Sequence, residues 1–491
     1  MKRILYITIC ALAITPVSLL AQNETDALRY SQTTFGGTAR FMAMGGAFCA
    51  VGGDPSTLAF NPAGIAVFAK SQFTFTPGFS FQNTSSTYNG MLSTGQMAGM
   101  NVQNLAWIST WKNRHDDAMW KGLNFGIAYN RTNNFNSNIT IQGNSNNSTY
   151  LDQVVNDANG TYYGNLDVFE TSPAYQVGLI YPNSSDSSHY GNIVRPYLGN
   201  ANYVMQQKSI STNGSMGETD ISFGANYNNK LYLGATIGIP DIRYTENVQY
   251  TETPTYKDTT NGLQSYNYNT SLTTTGGGIN FKVGAIYRIT DWLRIGAAIH
   301  SPTFFSLTDD YSTNMSATYG PSNNPAPAGT YTSNGNESSF NYTLITPMRV
   351  MGGLAFIIHH QGILSVDYEY MDYSTASLNS SDYTFSGANQ AIAQNYMAAS
   401  NIRVGAEWVL FPFSIRAGYA MYGNPYSSIA GNNVVTSNFS GGFGIRIKQY
   451  AIDLAYVLTQ YKANYYLYNG SNAASNQTSI SNVALTFTAN L

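Results

Sequence analysis

Charged residues are scarce in this 491-residue chain. Asp, Glu, Lys and Arg make up 10% of it, against roughly 25% in ordinary soluble domains. The formal net charge is −3 at pH 7, and no segment gathers basic residues into the positive face that nucleic-acid binding requires. The sequence therefore excludes a nucleic-acid-binding protein, and its surface would be poorly protected in water.

Long apolar runs are also missing beyond the N-terminus. Lys2 and Arg3, followed by an apolar run over residues 4–20, are typical of a secretory signal, and we predict a signal peptide over residues 1–21. No later stretch reaches the 18 or more apolar residues of a transmembrane helix. These features exclude a bundle of membrane-spanning helices.

Cysteine and histidine are too few to indicate a metal or a disulfide framework. Without Cys10 of the signal peptide only Cys49 remains, and we expect it to be a small buried apolar residue. The five histidines form no HExxH motif or Cys/His metal spacing, and there is no P-loop. His300 falls on a predicted inner face, where a lone histidine is more often structural than catalytic. We therefore expect no enzyme activity, no metal and no cofactor.

Aromatic residues are abundant and alternate with small or polar ones. They make up 14% of the chain, with 38 Tyr and 24 Phe. In "LNFGIAYNR", Leu123, Phe125, Ile127 and Tyr129 fall on one face of a strand, and the pattern returns over 221–227, 231–239, 279–289 and 483–491. Such alternation suits strands with one face toward lipid. We predict an all-β fold, a transmembrane antiparallel β-barrel over residues 71–491.

The links between the predicted strands alternate in length, as an up-and-down barrel requires. Short turns, expected to be periplasmic, fall at 228–230, 290–292, 359–362, 410–412 and 448–450. Long polar tracts, expected to be extracellular, cover 242–265, 302–339, 373–400, 423–438 and 460–480. The first half offers candidate strands at 71–82, 102–112, 122–132, 172–182 and 203–213. The raw count is sixteen; we predict about fourteen strands, within a range of 12–16.

Residues 22–70 do not alternate. In "GGDPSTLAFNPAGIAVF", residues 52–68, Asp54 is a good N-cap before Pro55, and Asn61 before Pro62 ends that turn. The motif consists of Gly53, Asp54, Pro55, Asn61, Pro62, Ala63 and Gly64. So short an apolar segment is too small to fold alone. We predict that residues 22–70 form a hatch of short helices inside the barrel.

This apolar hatch, followed at once by aromatic strands, resembles the FadL/TodX family. The resemblance implies a fourteen-stranded outer-membrane barrel for passive uptake of long-chain fatty acids or similar apolar molecules. It also implies that the ligand binds beside the hatch and leaves sideways through a gap in the barrel wall. The candidate path residues are Phe35, Phe41, Met42, Met44, Phe48 and Phe60. The alternative role for each is packing against the wall.

Inner-face charges collect near the short turns. They are Arg288, Arg294, Arg349, Asp367, Glu369, Arg403, Glu407, Arg416, Arg446 and Asp453. Arginine can bind an anionic head group, but buried charges must also be paired. We predict that this set pairs internally and with the hatch, because a ligand from outside would meet the extracellular half first.

A second function is compatible with the same layout. Some barrels that resemble this family, such as PorV, are shuttle or accessory parts of a protein secretion system and bind protein partners. The Phe and Met content of the hatch favours an apolar ligand. We predict a monomer in the bacterial outer membrane, in contact with its lipid and lipopolysaccharide and with a hydrophobic small molecule.

Overall fold

The structure is a computed structural model, and it describes residues 23–113, 115, 117–183, 186–199, 202–256, 262–322, 327–359 and 361–491. The predicted signal peptide, residues 1–21, and His360 lie outside the described residues. Among those described, no helix is long and apolar enough to cross a membrane.

The helices are few and short. They are α1 (Glu24–Ser31), α2 (Ala39–Ala43), α3 (Tyr150–Ala158), α4 (Thr171–Gln176) and α5 (Ser386–Asn395), with 3-10 helices at Pro55–Ala59, Pro62–Val67, Tyr163–Asn165, Arg195–Tyr197, Tyr373–Thr375 and Ser428–Ala430. The strands in the first part of the chain are β1 (Gln72–Tyr88), β2 (Met91–Lys112), β3 (Trp120–Asn134), β4 (Ser137–Ser145), β5 (Ile180–Asn183), β6 (Asp186–Asn192), β7 (Val204–Tyr227), β8 (Leu231–Pro254), β9 (Leu263–Arg288) and β10 (Leu293–His300). The later strands are β11 (Phe304–Tyr319), β12 (Gly329–Thr332), β13 (Asn336–Ile345), β14 (Arg349–Ile358), β15 (Gly362–Asp372), β16 (Ser377–Asn379), β17 (Ala398–Leu410), β18 (Phe413–Tyr422), β19 (Thr436–Ile447), β20 (Tyr450–Tyr466) and β21 (Ala473–Asn490).

The strands close into a barrel. β1 pairs antiparallel with β2 on one side and with β21 on the other, so the first and last strands seal the sheet. Four of the wall strands are each divided into two or more segments. The segments of one wall strand are β3 and β4; those of the others are β10 and β11, then β12, β13 and β14, and then β15 and β16. With each interrupted strand counted once, the barrel has fourteen strands. This confirms the predicted fold.

Two of the sixteen segments in the raw count are not separate wall strands. Residues 172–182 begin in α4 and end in β5, which pairs only with β6 outside the barrel sheet. Residues 203–213 and 221–227 are two ends of one 24-residue strand, β7. Polar Ser, Thr and Asn between them hid its continuity, since polar outer residues weaken the apolar alternation.

The short turns lie where they were predicted. Asn228 and Asn229 both have positive φ, 52° and 54°, between β7 and β8; asparagine tolerates this conformation in tight hairpins. The same end of the barrel carries the turns at 289–292, 411–412 and 448–449, and residues 359 and 361 between β14 and β15.

The long polar tracts contain more strand than expected. β8 continues to Pro254 and β9 begins at Leu263, so most of tract 242–265 is strand. Tyr244 and Tyr250 fill inner positions of this tract, Tyr266 follows directly after it, and all three are buried. Tyrosine favours strands and packs well when half-enclosed, which is why these tracts extend the wall.

The outer face changes character along each strand. On β8, Leu233, Ile237 and Ile239 point outward and are exposed, and Asp241 and Arg243 follow at the next outward positions. Exposed apolar side chains cover the same part of other wall strands, among them Phe223, Phe281, Ile299, Leu354, Phe443 and Leu454. An apolar outer belt on a closed barrel fits lipid.

A cap covers part of the barrel mouth opposite the short turns. It consists of α3, α4, β5, β6 and the 3-10 helix at Arg195–Tyr197, and it packs on buried residues such as Tyr88, Tyr266 and Met315. The carboxylate of Glu252 on β8 accepts the backbone N–H of Tyr150 at 2.9 Å and the Thr149 hydroxyl at 2.5 Å. This buried contact fastens the start of α3 to the wall.

Candidate ligand-binding site

The hatch lies inside the barrel and its turns are capped as the sequence indicates. Asp54 accepts the Ser56 N–H at 2.9 Å and the Thr38 hydroxyl at 2.7 Å, with Pro55 at the first helical position. Burial raises the pKa of Asp54. Asn61 ends this turn but also caps the next one, accepting the Ala63 N–H at 3.1 Å. Both turns are 3-10 rather than α-helical, because each proline-started piece is only one or two turns long.

Asn61 also ties two parts of the hatch together. Its Nδ2 donates to the carbonyl oxygen of Cys49 at 2.6 Å. Cys49 is buried and free, and burial raises the pKa of its thiol. It packs as the expected small apolar residue, and its N–H donates to Asp367 of β15 at 2.8 Å.

Wall glycines let the hatch backbone approach closely. A Cβ on Gly234 of β8 would lie 2.2 Å from the Pro62 carbonyl oxygen, and one on Gly418 of β18 would lie 2.3 Å from the Gly45 nitrogen. Similar close approaches to the hatch occur at Gly126, Gly224, Gly284, Gly296, Gly405 and Gly442. Backbone or side-chain atoms of the hatch therefore contact eight of the fourteen wall strands closely.

Three of the six predicted path residues form the inside of the hatch. Phe41, Met44 and Phe48 are 0–1% exposed. The Phe41 ring centroid lies 5.2 Å from that of Phe48 and 4.9 Å from that of Phe60. These three side chains lie in a buried core that the hatch shares with wall residues such as Met351 and Ala420.

Phe35 and Met42 line a cavity of about 360 Å³ between the hatch and the wall. Its remaining apolar lining includes Tyr373, Tyr422, Tyr426, Val434, Val457, Tyr461 and Ile480, and its polar lining includes Gln103, Arg131, Asn133, Asn134, Asn136, Asn438 and Asn482. Pockets of this size and mixed lining bind small molecules. The sequence identified only two of these residues as path residues, because most of the others lie on six different wall strands and on loops between strands.

Phe60 lines a second, smaller cavity of about 50 Å³. His300 is on its wall, and His300 Nε2 lies 2.6 Å from the Phe60 carbonyl oxygen. The histidine is buried on the inner face of β10. Its neighbour Lys282 lies between Glu218 Oε2 at 2.5 Å and Asp220 Oδ1 at 2.8 Å.

Most of the predicted inner-face charges have partners in the barrel or hatch. Arg403 pairs with Glu369 at 2.9 Å, and Arg416 pairs with Glu407 and with Asp453 at 2.7 Å each. Arg349 donates to the Ser31 carbonyl at 2.7 Å and Arg294 to the Val51 carbonyl at 3.2 Å. Asp367 accepts the hydrogen bond from the Cys49 N–H. Arg288 pairs with Asp291 in a short turn, and Arg446 is exposed.

Sequence reasoning did not place four polar residues that the site uses. Arg40 pairs with Glu407 from within the hatch, and Lys282, Glu218 and Asp220 form the triad beside Phe60. Their signal was available in part: each is a charge at an inner position of a strand or helix in a chain with few charges. Which charges meet depends on barrel register, and one sequence does not give it. No three His, Cys, Asp or Glu side chains group as metal ligands in the part of the chain that the structure describes.

The wall loses its backbone pairing next to the large cavity. β2 pairs with β3 only from Asn104 to Lys112, although its other edge pairs with β1 up to Met91. β3 is kinked by a register shift between Arg131 and Asn133. There the hatch takes over as its neighbour: the Thr34 N–H donates to the Thr132 carbonyl at 2.7 Å.

The cavity reaches this interruption from inside. Gln103 of β2 and Asn133, Asn134 and Asn136 beside the kink are all among its lining residues. Above the kink β2 and β4 are joined by side chains: the Ser93 hydroxyl donates to the Thr140 carbonyl at 2.5 Å, and Asn138 Nδ2 lies 3.4 Å from the Gln96 carbonyl. Side-chain bonds open more readily than a ladder of backbone bonds.

Fold and site together define a closed β-barrel with an internal hatch, a side cavity and an interrupted wall. Solved structures share this fold. A Pseudomonas aeruginosa FadL homologue matches with a TM-score of 0.56 at 13% identity, covering 93% of this chain and 98% of that one. The Pseudomonas putida toluene transporter TodX gives 0.55 at 13%, covering 93% and 99%. The Ralstonia pickettii toluene transporter TbuX gives 0.51 at 14%, covering 93% and 99%.

No protein-family model and no curated protein matches the sequence. The likeness is therefore one of fold, and at that level the resemblance to FadL and TodX is confirmed.

Proposed function

We propose that this chain is a bacterial outer-membrane channel for passive uptake of hydrophobic compounds, such as long-chain fatty acids or similar apolar molecules. It acts as a monomer, its outer belt contacts membrane lipid and lipopolysaccharide, and it carries out no chemical reaction. The solved barrels of the same fold are described as a FadL homologue and toluene transporters, which supports this proposal.

The observation that carries the proposal is the position of the large cavity. It lies between hatch residues Phe35 and Met42 and the wall, and it extends to the interruption between β2 and β3. Because hatch contacts surround most of the lumen, a straight passage past the hatch is blocked. A side passage at the interrupted wall would join the cavity to the membrane at a point where the described part of β2 lacks a backbone ladder to its neighbour.

An apolar ligand gains from this route. It would leave the cavity directly into lipid without crossing the aqueous space below the hatch, and each buried methylene avoids a cost of about 0.8 kcal/mol in water. The outer face supports such a release. Phe81, Met100 and Val102 are exposed apolar residues on β1 and β2 near the interruption.

The first experiment closes the side passage. Asn136 Nδ2 lies 3.0 Å from the position a Cβ would take on Gly99, so Gly99→Cys with Asn136→Cys, in a Cys49→Ala background, can bridge β2 to the segment after β3. We expect the oxidised protein still to bind probes that carry a decane chain. Cells that have this protein as their hydrophobic-compound channel should no longer take the probes up when the bridge is oxidised. A reductant should restore uptake.

A matched control places the bridge where the ladder is intact. Gly352 of β14 and Tyr368 of β15 are register partners, and Gly352→Cys with Tyr368→Cys should leave uptake unchanged in either redox state. If the oxidised Gly99→Cys, Asn136→Cys protein takes up the probes as well as its reduced form does, lateral release is contradicted. The cavity variant Phe35→Ala with Met42→Ala is compared with the outer-face control Phe81→Ala. If neither variant changes ligand binding, the cavity is not the ligand site, and the secretion-accessory function becomes the better hypothesis.

A further inference from the structure

The short-turn end of the barrel has a cup of about 480 Å³ in the mouth of the lumen. Residues 51–53 and Val67 of the hatch form its floor, and inner positions near the ends of β14, β15 and β17 form part of its wall. Lys70, Gln361 and Val409 on the cup are exposed, so a partner can reach it from outside the barrel. The cup shares no lining residue with the large cavity beside Phe35.

The charged side chains that line the cup are basic. They are Arg40, Lys70 and Arg294, and no acidic side chain of the described ranges lines it. Arg40 is neutralised by Glu407, 2.6 Å away. Lys70 and Arg294 form no ion pair with any described residue; Arg294 donates to the Val51 carbonyl at 3.2 Å, and its Nε is buried without an acceptor. Two of the three cations therefore lack a counter-charge.

The register of the sheet adds to this excess of positive charge. Arg288 of β9 and Arg294 of β10 lie directly opposite one another, and like charges in opposed positions destabilise a sheet. Arg288 has Asp291 as a partner, but the Asp291 side chain is 85% exposed, so water weakens that pair. Arg288 acts on Arg294 as a like charge. An anion in the cup would relieve this repulsion.

The positive charge continues around the mouth of the lumen. Further basic residues at or beside the short turns are Lys112, Lys230, Arg446 and Lys448, whereas the acidic side chains described at this end are Asp117 and Asp291. The formal net charge of the whole chain is −3, so basic residues are concentrated here against the balance of the chain. Such a field attracts an acidic partner.

The arginines of this end face the mouth of the lumen rather than lipid. Arg288, Arg294 and Arg446 occupy inner positions of their strands, and the outer positions next to them carry Tyr287, Ile295 and Ile447, which are exposed. Successive side chains of a strand point to opposite faces. The partner that these charges fit is therefore in the aqueous space at the mouth and not in the membrane around the wall.

Apolar side chains share the cup with the cations. Ile357, Ile363 and Val409 line it at inner wall positions, together with Val51 and Val67 of the hatch, and Val409 is 38% exposed. A small inorganic anion would leave these apolar groups in water. A chain segment with both carboxylates and apolar side chains covers the apolar groups and pairs the cations.

We propose that the cup is a docking site for an acidic peptide segment of a periplasmic protein. Its carboxylates pair with Lys70 and Arg294, and an apolar side chain packs against Ile363 and Val409. The partner is periplasmic because we place the short turns on that side of the membrane. Since the hatch forms the floor of the cup, the bound segment contacts the hatch directly.

The test uses the full chain in phosphatidylcholine nanodiscs and a fluorescent peptide of alternating glutamate and leucine, followed by anisotropy. A second peptide has glutamine in place of each glutamate. We expect the glutamate peptide to bind more tightly, and its affinity to fall as salt is raised. Lys70→Gln with Arg294→Gln should weaken its binding roughly 10–100-fold. Arg243→Gln with Lys462→Gln removes the same charge from exposed positions of β8 and β20 and should leave the affinity unchanged.

Two results would overturn the proposal. One is equal affinity for the two peptides, or an unchanged affinity of the Lys70→Gln, Arg294→Gln protein for the glutamate peptide. The other is a lipid occupant: the glutamate peptide does not bind, and native mass spectrometry shows anionic lipid on the wild type that the Lys70→Gln, Arg294→Gln protein has lost.

A second variant keeps the test decisive if Lys70→Gln with Arg294→Gln does not fold. Lys70 is exposed, so Lys70→Glu alone should fold, and it should weaken binding of the glutamate peptide more than that of the glutamine peptide. Decanol binding, measured on the same samples, tests the proposed uptake function separately, because the large cavity and the cup have no lining residue in common. Loss of one binding activity without the other shows which of the two inferences is wrong.

Discussion

Arg40 of the hatch and Glu407 of β17 form a two-point ion pair: Nε lies 3.0 Å from Oε1 and Nη2 lies 2.6 Å from Oε2. Glu407 Oε1 also accepts a hydrogen bond from Arg416 Nε at 2.7 Å. One carboxylate therefore neutralises a cation of the hatch and a cation of the wall, and it joins the two parts of the molecule.

Removing the carboxylate should cost more than removing the hatch arginine. Glu407→Gln leaves Arg40 without its carboxylate and Arg416 with Asp453 alone, and we expect the free energy of unfolding to fall by about 3–5 kcal/mol. Arg40→Gln leaves the Glu407–Arg416 pair, and because Arg40 is 23% exposed we expect about 2 kcal/mol. Denaturant unfolding in detergent, followed by tryptophan fluorescence, measures both. The exposed Arg446→Gln is the control, and equal losses for the two variants would contradict the shared-carboxylate role.

Close backbone approach at the wall glycines gives a second prediction. Gly234→Ala would place a Cβ 2.2 Å from the Pro62 carbonyl oxygen, so the hatch must shift. We expect faster proteolysis of the hatch and loss of binding in the cavity, with the barrel still formed. Gly352→Ala on β14 meets no heavy atom within 4 Å and should behave as wild type. A protected hatch in Gly234→Ala would show that this contact does not hold it.

Local rules account for what the sequence predicted well. The alternation around Leu123 and Phe125, the caps at Asp54 and Asn61 and the hairpin at Asn228 are decided by residues within a few positions of one another. The strand count was less certain, because β7 contains polar outer residues between its two apolar ends.

The site was predicted less well for a physical reason. Phe35 and Met42 line the cavity together with Gln103 of β2 and Arg131, which lies at the register shift of β3. No proline or glycine run marks that kink, so the gap in the wall could not be placed. Contacts such as Arg40 with Glu407, 367 positions apart, depend on the closure of the whole barrel.

The buried triad of Lys282, Glu218 and Asp220 gives a third prediction. Lys282→Met removes the only cation within 3 Å of either carboxylate among the described residues and leaves both buried. We expect a loss of about 3–5 kcal/mol in the free energy of unfolding, measured as above. Adding Glu218→Gln and Asp220→Asn to Lys282→Met should recover most of it, since no unpaired charge then remains. Failure of the triple variant to recover would show that packing, not charge, sets the cost.

The cap should be sensitive to pH through Glu170. Burial raises the pKa of Glu170 to about 7, and its carboxyl contacts the Tyr150 hydroxyl and Gln153 Nε2. In the unfolded chain this pKa is about 4.3. The stabilisation linked to the proton is therefore complete below about pH 4 and is lost as pH rises through about 7, a change of roughly 3–4 kcal/mol.

We expect the amides of α3 and α4 to exchange hydrogen faster at pH 8 than at pH 5, after correction for the intrinsic effect of pH on exchange. Glu170→Gln keeps a neutral side chain at every pH and should remove most of that difference. The exposed Glu337→Gln on β13 should retain it. If Glu170→Gln exchanges with the same pH dependence as wild type, another group controls the opening of the cap, because a glutamine at this position has no proton to release.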